Sequence, residues 1–458
     1  MRLTPTTWVF SLGVLLAVTP ARAEDPSASQ APVPGAEVPQ VPSVPGAEVP
    51  VVPAPRTGWR VAGLPLINFN SDEGVGYGVR LLLVDAGDGS QKPYRHSVVA
   101  QFFQTTRGVA AHRLLMDAPG FLGSAWRVGL DLSLLNERFS PYYGLGGASD
   151  YQADFASCDD RDALEDSPDE CPGNPAFRGL RYYTYDQRTF PSVVLNTRRP
   201  VQGPWQVALG YRFRLTKVRT RYDAEDLGQS GASRLEEDAR AGLLTGLDAQ
   251  TLSGTFRTAE LTAGLLFDLR DNEPAPTRGM FHELSARGAM EATGSAFRYW
   301  GTTLNLRFYH PVVSPRVVAA LRLMADVMGG DVPFFLLSSL GGVEWRDGWG
   351  GIGGLFTGRG ILKHRMQGKV KAVANGEVRW QFLSVAPLNQ RVDFTAVAFA
   401  DVGQAWADLD FRDDGLSRYS GGGGLRISWE GNFIIRMDYG VSPSDGTTAF
   451  YLDFNHLF

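Results

Sequence analysis

Through most of the chain, apolar and polar residues alternate with a period of two, in one segment after another. Successive side chains of a β-strand point to opposite faces, so this alternation predicts half-buried strands. Residues 369–382 show it well, with Lys371 and Glu377 on one face and Val370 and Val378 on the other. About sixteen strands are predicted, near 60–69, 74–86, 94–105, 109–118, 125–138, 180–198, 205–222, 255–269, 279–290, 297–310, 316–328, 369–383, 391–407, 419–430, 432–441 and 448–458.

The two faces of the predicted strands differ strongly in polarity, because most strands carry full charges on one face only. These charges include Arg127, Asp131, Arg212, Arg214, Glu260, Asp268, Glu283, Arg287, Arg322 and Asp326. A soluble sheet of this size needs a second layer over its apolar face, and no helical segment is available to provide one. Closing the sheet turns the apolar face to lipid and the charges into a wet lumen. The sequence therefore predicts an all-β transmembrane antiparallel β-barrel of the outer-membrane type.

The connections between the predicted strands support this architecture. Odd-numbered connections include the three long ones, 139–179, 223–254 and 329–368. Even-numbered connections are short, for example 202–204, 314–316 and 430–432. Long loops on one side and short turns on the other are typical of outer-membrane barrels. An even strand count returns both termini to the periplasm, and Phe458 is expected to close the last strand.

The first 57 residues are not predicted to belong to the barrel. Arg2, an apolar core from Trp8 to Val18 and a small-residue site at Ala21-Arg22-Ala23 predict a signal peptide over residues 1–23. Residues 24–57 are rich in proline, which cannot donate to a helix or sheet ladder, and predict an extended periplasmic linker. The barrel is assigned to residues 58–458.

Composition narrows the class of protein further. Charged residues make up 20% of the 458 residues and the net charge is −5, which gives no electrostatic case for binding nucleic acid. After the signal segment, the sequence contains no apolar run of the ~18 residues that a membrane-spanning helix needs. A helical membrane protein is therefore excluded, whereas a strand-built one is not.

The two cysteines, Cys158 and Cys171, lie in or beside an acidic stretch in one predicted loop. In an oxidising compartment, two nearby cysteines favour a disulfide. The alternative is a cation site made by the neighbouring carboxylates, whose spacing fits no calcium-loop pattern. These carboxylates are Asp159, Asp160, Asp162, Glu165 and Asp166.

Five segments, in order along the chain, resemble motifs of the bacterial surface antigen family, the superfamily of BamA, TamA and the two-partner secretion transporters. They are the opening hairpin at 64–74, a strand-turn-strand signature at 267–279, an Arg-Gly loop motif at 358–365, and two strands at 375–380 and 399–406. The strand-turn-strand residues are Asp268, Arg270, Asp271, Asn272, Pro276, Arg278 and Gly279. The loop motif is Gly358, Arg359, Gly360 and Ile361, with Arg365 six residues after Arg359. The resemblance covers most of residues 59–458.

The resemblance implies a specific lumen site. In that family the sixth extracellular loop folds into the lumen, and its arginine pairs with acids on the adjoining wall. The equivalent loop here is 329–368, and the resemblance pairs Arg359 with Glu377 and Asp401. Alternation also places both acids on the inward face, and a guanidinium can serve two carboxylates. Ile361 stands where the family usually has an aromatic residue.

The family's periplasmic POTRA domains are expected to be absent, because the proline-rich linker is too short to hold one. The leading hypothesis is a stand-alone barrel that assists protein insertion or translocation through a weak seam between its first and last strands. The alternative is a passive or selective pore, which needs an open path past the sixth loop.

An enzyme is not expected, because none of the six histidines lies in a recognisable Ser/His/acid arrangement. No catalytic residue, cofactor or metal site is predicted. The expected location is the outer membrane of a Gram-negative bacterium. The expected partners are outer-membrane lipids and lipopolysaccharide, together with unfolded outer-membrane proteins or a separate periplasmic partner.

Overall fold

The computed structural model describes residues 57–88, 94–159, 170–220, 232–343, 350–387, 390–411, 417–429 and 433–458. The predicted signal peptide and nearly all of the predicted linker lie outside these residues, as do the predicted turn at 430–432 and the acids from Asp160 to Asp166.

Sixteen antiparallel strands form a closed barrel in which each strand pairs with its neighbours along the chain. Their bounds are β1 Trp59–Asn70, β2 Gly74–Asp85, β3 His96–Thr105, β4 Val109–Ala118, β5 Arg127–Pro141, β6 Thr184–Gln202, β7 Trp205–Arg219, β8 Ser253–Asp268, β9 Gly279–Ala289, β10 Tyr299–Pro311, β11 Val317–Gly330, β12 Val370–Val385, β13 Val392–Trp406, β14 Arg418–Trp429, β15 Phe433–Ser442 and β16 Thr447–Phe454. The predicted fold class and strand number are confirmed.

The alternation in the sequence becomes an outer and an inner surface. In β11, Leu321 and Leu323 are exposed on the outside, whereas Arg322, Met324 and Asp326 are buried inside the barrel. Several inward charges pair with one another, for example Arg212 with Glu260 and Arg287 with Asp326. Part of the inward face is apolar and meets the loop that fills the lumen.

One end of the barrel carries the long connections, and we call it the loop end; the other is the turn end. Helix α1, Arg234–Arg240, lies in the connection between β7 and β8 and is capped by Ser233, whose side chain accepts a hydrogen bond from the Glu236 backbone N–H. Short 3₁₀ turns occur at Phe121–Gly123, Gly146–Ala148, Ala153–Phe155, Glu291–Thr293 and Phe334–Leu336. Within the described residues, no helix has the length and apolarity to cross a membrane.

Buried apolar side chains from several loops and strand ends cover the loop end. The cluster combines α1, the strand ends around it and the start of the connection between β11 and β12. Its fully buried members include Tyr142, Tyr185, Val218, Leu235, Ala239, Met328, Val332 and Phe334. This cluster ties these loops to the strand ends at the loop end of the barrel.

The end of the chain differs from the prediction. Strand β16 stops at Phe454, because Asn455 adopts a positive φ of 65° that extended backbone does not allow. Leu457 and Phe458 turn inward and pack beside Tyr309. The alternation of Phe450, Leu452 and Phe454, continued to His456, predicts a lipid-facing side chain, but His456 lines a lumen cavity instead. The prediction that Phe458 closes the last strand is therefore wrong.

Candidate functional site

The described parts of the connection between β11 and β12, residues 331–343 and 350–369, fold into the barrel, and we call them the lumen loop. Its tip is a small hairpin, since Gly354 donates from its backbone N–H to the Ile361 carbonyl and Gly354 also bridges to Gly358. The Thr357 hydroxyl donates within 2.7 Å of the Gly351 carbonyl and holds the hairpin closed. This hairpin presents Arg359 to the inner wall.

Arg359 is fully buried and forms ion pairs with two acids of the wall. Its Nε and Nη2 donate to the two oxygens of Asp401 at 2.9 and 3.1 Å, and its Nη1 donates to Glu377 Oε1 at 2.6 Å. The Arg359 backbone N–H also donates to Asp401 Oδ2 at 3.0 Å. The structure therefore brings together the three residues that the resemblance paired, on β12, β13 and the lumen loop.

Two further wall residues complete the arginine site. Asp438 on β15 lies 3.4 Å from Arg359 Nη1, and the Phe399 ring lies 3.6 Å beneath the guanidinium carbon. Alternation placed Asp438 on the polar face of its strand, so its inward direction was predictable but its partner was not. Phe399 faces inward among apolar neighbours, and nothing in the sequence marks it as a cation–π partner.

The acids around Arg359 also pair with arginines of the wall. Arg379 Nε donates to Glu377 Oε2 at 2.7 Å, and Arg426 Nη1 donates to Asp438 Oδ1 at 2.7 Å. Because charges buried in a protein need partners, these pairs compensate the charges of Glu377 and Asp438 inside the lumen. It can fix a loop, and its chemistry offers positioning rather than covalent catalysis.

Backbone contacts seat the loop hairpin closely on the wall. A Cβ added at Gly440 would lie 2.4 Å from the Arg359 carbonyl oxygen, and Gly360 has a positive φ of 96°. The Gly360 carbonyl accepts from the Thr447 hydroxyl at 2.7 Å. Ile361 is buried and packs against the glycines of the hairpin itself. The loop motif thus combines the ion pairs of Arg359 with glycines that let the loop backbone approach the wall closely.

The strand-turn-strand motif forms the connection between β8 and β9 at the turn end. Arg270 donates from Nε and Nη2 to the carboxylate of Asp268 at 2.9 and 2.8 Å. Asp271 accepts from the backbone N–H of Arg278 at 3.2 Å, and Asn272 accepts from that of Ala275 at 3.4 Å. Pro276 is buried, and Gly279 has a positive φ of 100°. The hydrogen bonds of this turn brace it locally.

Cys158 and Cys171 form a disulfide in the connection between β5 and β6. Cys171 is buried against Phe177, and Cys158 packs against the same small cluster. Among the described residues, no group of three or more His, Cys, Asp and Glu side chains is arranged to hold a metal ion.

The seam between the first and last strands is paired at one end only. In the described chain, β1 pairs with β16 at Phe69–Leu452 and Asn70–Tyr451, both at the loop end. On its other side β1 pairs with β2 along its full length, from Trp59 to Asn70. The turn-end part of β1 therefore lies at an open edge.

Two of the cavities between described residues lie in the lumen beside the loop. One of about 360 Å³ lies behind the seam and is lined by residues that include Leu66, Glu137 and Lys363. The second, of about 440 Å³, lies toward the turn end and is lined by residues that include Arg127, Arg307 and Phe458. Free volume is thus available next to the open part of the seam.

The barrel is closed and antiparallel, with an apolar exterior, a charged interior and a loop anchored inside it. These features are typical of the barrels of bacterial outer membranes. Residues 117–458 match the model of the Omp85 superfamily domain, and the chain belongs to this superfamily. The family membership predicted from the motifs is confirmed.

Solved structures with a similar fold include BamA from Haemophilus ducreyi lacking POTRA domains 1–3, at 15% identity and a TM-score of 0.54, covering 87% of this chain and 70% of that one. CdiB from Escherichia coli matches at 12% identity and a TM-score of 0.49, covering 87% of this chain and 63% of that one. At these identities the likeness shows the fold alone. No curated protein sequence matches the chain.

Proposed function

We propose that this chain is a protein of the bacterial outer membrane that assists the insertion or translocation of other proteins. Its clients would be unfolded outer-membrane proteins, alone or delivered by a separate periplasmic partner. In this proposal the loop end faces the outside of the cell and the turn end faces the periplasm. The function involves no covalent step.

The half-open seam carries the proposal. Alternate residues of β1 direct their N–H and C=O groups away from β2, so those near Trp59 and Leu66 face an edge without β16. In a membrane each unsatisfied backbone group costs several kcal/mol. A client strand that pairs with this edge removes that cost for both partners, which lowers the barrier to inserting the strand.

The filled lumen favours this function over an open pore. The lumen loop is anchored through Arg359, and the buried cluster around Tyr142 and Phe334 covers the loop end. We expect a molecule that crosses the barrel along its axis to meet both. Strand exchange at the seam requires neither to leave.

The test is client folding into liposomes that contain the purified barrel. Continuing the seam register places Ile67 opposite Phe454, the last residue of β16, so Ile67→Cys with Phe454→Cys should join the two strands beside the unpaired part of β1 when oxidised. The two native cysteines are already joined and do not compete. The matched control, Ile67→Cys with Tyr77→Cys, joins β1 to β2 where those residues already pair.

We expect the wild type and the β1–β2 control to accelerate folding of a denatured client barrel over empty liposomes, and the locked seam to abolish the acceleration. Arg359→Ala should weaken it, because the loop no longer supports the wall. No acceleration by a correctly folded wild type would overturn assembly activity, and ion conductance in the same liposomes would then support the pore. Acceleration that survives the lock would overturn the seam as its site.

A further inference from the structure

One lysine of the lumen loop contacts the first turn of the barrel. Lys363 Nζ lies 2.6 Å from Glu73 Oε1, in the turn between β1 and β2, and 2.5 Å from Glu137 Oε1 on β5. Its backbone N–H points to Asp72 Oδ1 at 3.4 Å. Burial opposes the lysine charge, but Glu137 and Glu73 outweigh it, so the pKa of Lys363 is raised and the ammonium is held charged.

The same stretch of loop is fastened on the other side of the seam. Arg365 Nε donates at 2.9 Å to Asp445, in the turn between β15 and β16, and both side chains are buried. Five residues earlier in the loop, the Gly360 carbonyl accepts from the Thr447 hydroxyl and the Gly360 backbone N–H donates to the Tyr451 hydroxyl, both on β16. The β16 side of the seam is therefore held to the loop by several contacts.

These two attachments meet where the seam is closed. Ser71 follows β1 and donates from its backbone N–H to the Phe450 carbonyl of β16 at 3.2 Å, next to the paired residues of the seam. With so few backbone pairs, the ladder at this end is short. The loop spans it from behind, with Lys363 on the β1 side and Arg365 on the β16 side.

We propose that Lys363 is a positioning residue that latches the loop end of the seam shut through Glu73, so that the seam opens from its turn end alone. This inference deepens the proposed function and rests on it for its purpose, because a client strand would then enter only from the turn-end side. The latch itself is a property of the barrel without any client.

The two carboxylates around Lys363 provide a matched pair of variants. Glu73 and Glu137 contact the same ammonium at nearly equal distances, and the side chain of each is 19% exposed. Only Glu73 lies in the turn beside the seam. Glu73→Gln and Glu137→Gln therefore remove equivalent ion pairs, of which one crosses to β1 and the other to β5.

The measurement is amide hydrogen exchange of the four paired seam residues, on full-length barrel in lipid and without client. Heat-dependent gel migration first shows that each variant is folded. We expect Glu73→Gln to speed seam exchange by about tenfold or more, since local opening sets the rate. Lys363→Met should do the same, whereas Glu137→Gln and Lys369→Met, which breaks a loop ion pair with Asp408, should leave it near wild type.

Equal effects of Glu73→Gln and Glu137→Gln would overturn the latch, because Lys363 would then merely stabilise the loop. Unchanged seam exchange in Glu73→Gln would overturn it too. Since no client is present, these outcomes do not depend on whether the wild type accelerates client folding.

Discussion

Replacing Arg359 with methionine removes the guanidinium while keeping an unbranched side chain in the same space. Within the described residues Arg359 is the cation that pairs with Asp401, whereas Glu377 and Asp438 keep other arginine partners. The variant therefore leaves one carboxylate buried without its counter-charge. Breaking a buried pair in this way costs about 3–5 kcal/mol, which is the loss we expect in the free energy of unfolding.

A double-mutant cycle separates the pair from other effects of the substitution. Asp401→Asn on its own removes the acid, and the double variant Arg359→Met with Asp401→Asn leaves no stranded charge. We expect the double variant to lose about 2 kcal/mol less than the sum of the two single losses, within the range for directly contacting residues. Urea unfolding in micelles, followed by tryptophan fluorescence, gives the four free energies, provided that the slopes agree.

An exposed pair of the same chemistry serves as control. Arg391 Nε lies 2.9 Å from Asp393, but its side chain is 63% exposed, so Arg391→Met should cost less than about 1 kcal/mol. Two results would refute the reasoning. One is an Arg359→Met loss no larger than that of the control, and the other is a cycle that is additive within about 0.5 kcal/mol.

Three further predictions concern the loops. Gly440→Ala should destabilise the barrel by about 1–3 kcal/mol by pushing the lumen loop off the wall, measured by urea unfolding, whereas Gly288→Ala should be neutral because a Cβ there meets nothing within 4 Å. Burial lowers the pKa of His364 to about 4 from 6.5. Because the unfolded chain then binds the proton more readily than the folded one, the barrel is most stable above pH 6.5 and loses stability as the pH falls toward 4. Between pH 7 and 5 the loss should be about 2 kcal/mol, and His364→Gln should remove it from the pH curve of unfolding. The disulfide joins residues that are 13 apart in sequence. Its removal should lower the free energy of local opening of its own loop by about 3 kcal/mol, measured by hydrogen exchange, and leave exchange in the barrel wall unchanged.

Each of these has a contrary outcome. A neutral Gly440→Ala would mean that the loop does not press on β15, and a destabilising Gly288→Ala would show that alanine is harmful in any strand. Parallel pH curves for the wild type and His364→Gln would assign the pH dependence to other groups. Faster exchange throughout the barrel wall after disulfide removal would show that this loop supports the wall.

The sequence predicted the wall of this barrel well because lipid and lumen impose opposite chemistry on alternate residues. The sequences of strands such as β11 and β12 therefore show which side chains point into the barrel. Glu377 and Asp401 could be placed inside before any contact was known. The pairing of Arg359 with these acids was predicted from the motif resemblance, since no spacing rule connects a loop residue to particular residues of two strands. Asp438 shared the inward signal but lay outside every motif.

What the sequence did not predict depends on distant parts of the chain meeting. The half-paired seam requires the register of β1 against β16, which no local pattern contains. Phe458 continued an apolar strand in the sequence, yet a turn at Asn455 directs it inward. Lys363 reads as an ordinary loop lysine until the fold surrounds it with Glu73 and Glu137.

The short last strand has a consequence for the lipid around the barrel. Strand β16 has 8 residues and β6 has 19, so at usual rise and tilt they span about 20 and 48 Å along the membrane normal. A hydrocarbon layer is about 30 Å thick. A bilayer should therefore thin beside β16 while it meets a taller wall beside β6, and each ångström of mismatch costs a fraction of a kcal/mol. The barrel should accordingly favour thin membranes, and lipids with short acyl chains should gather along one side of it.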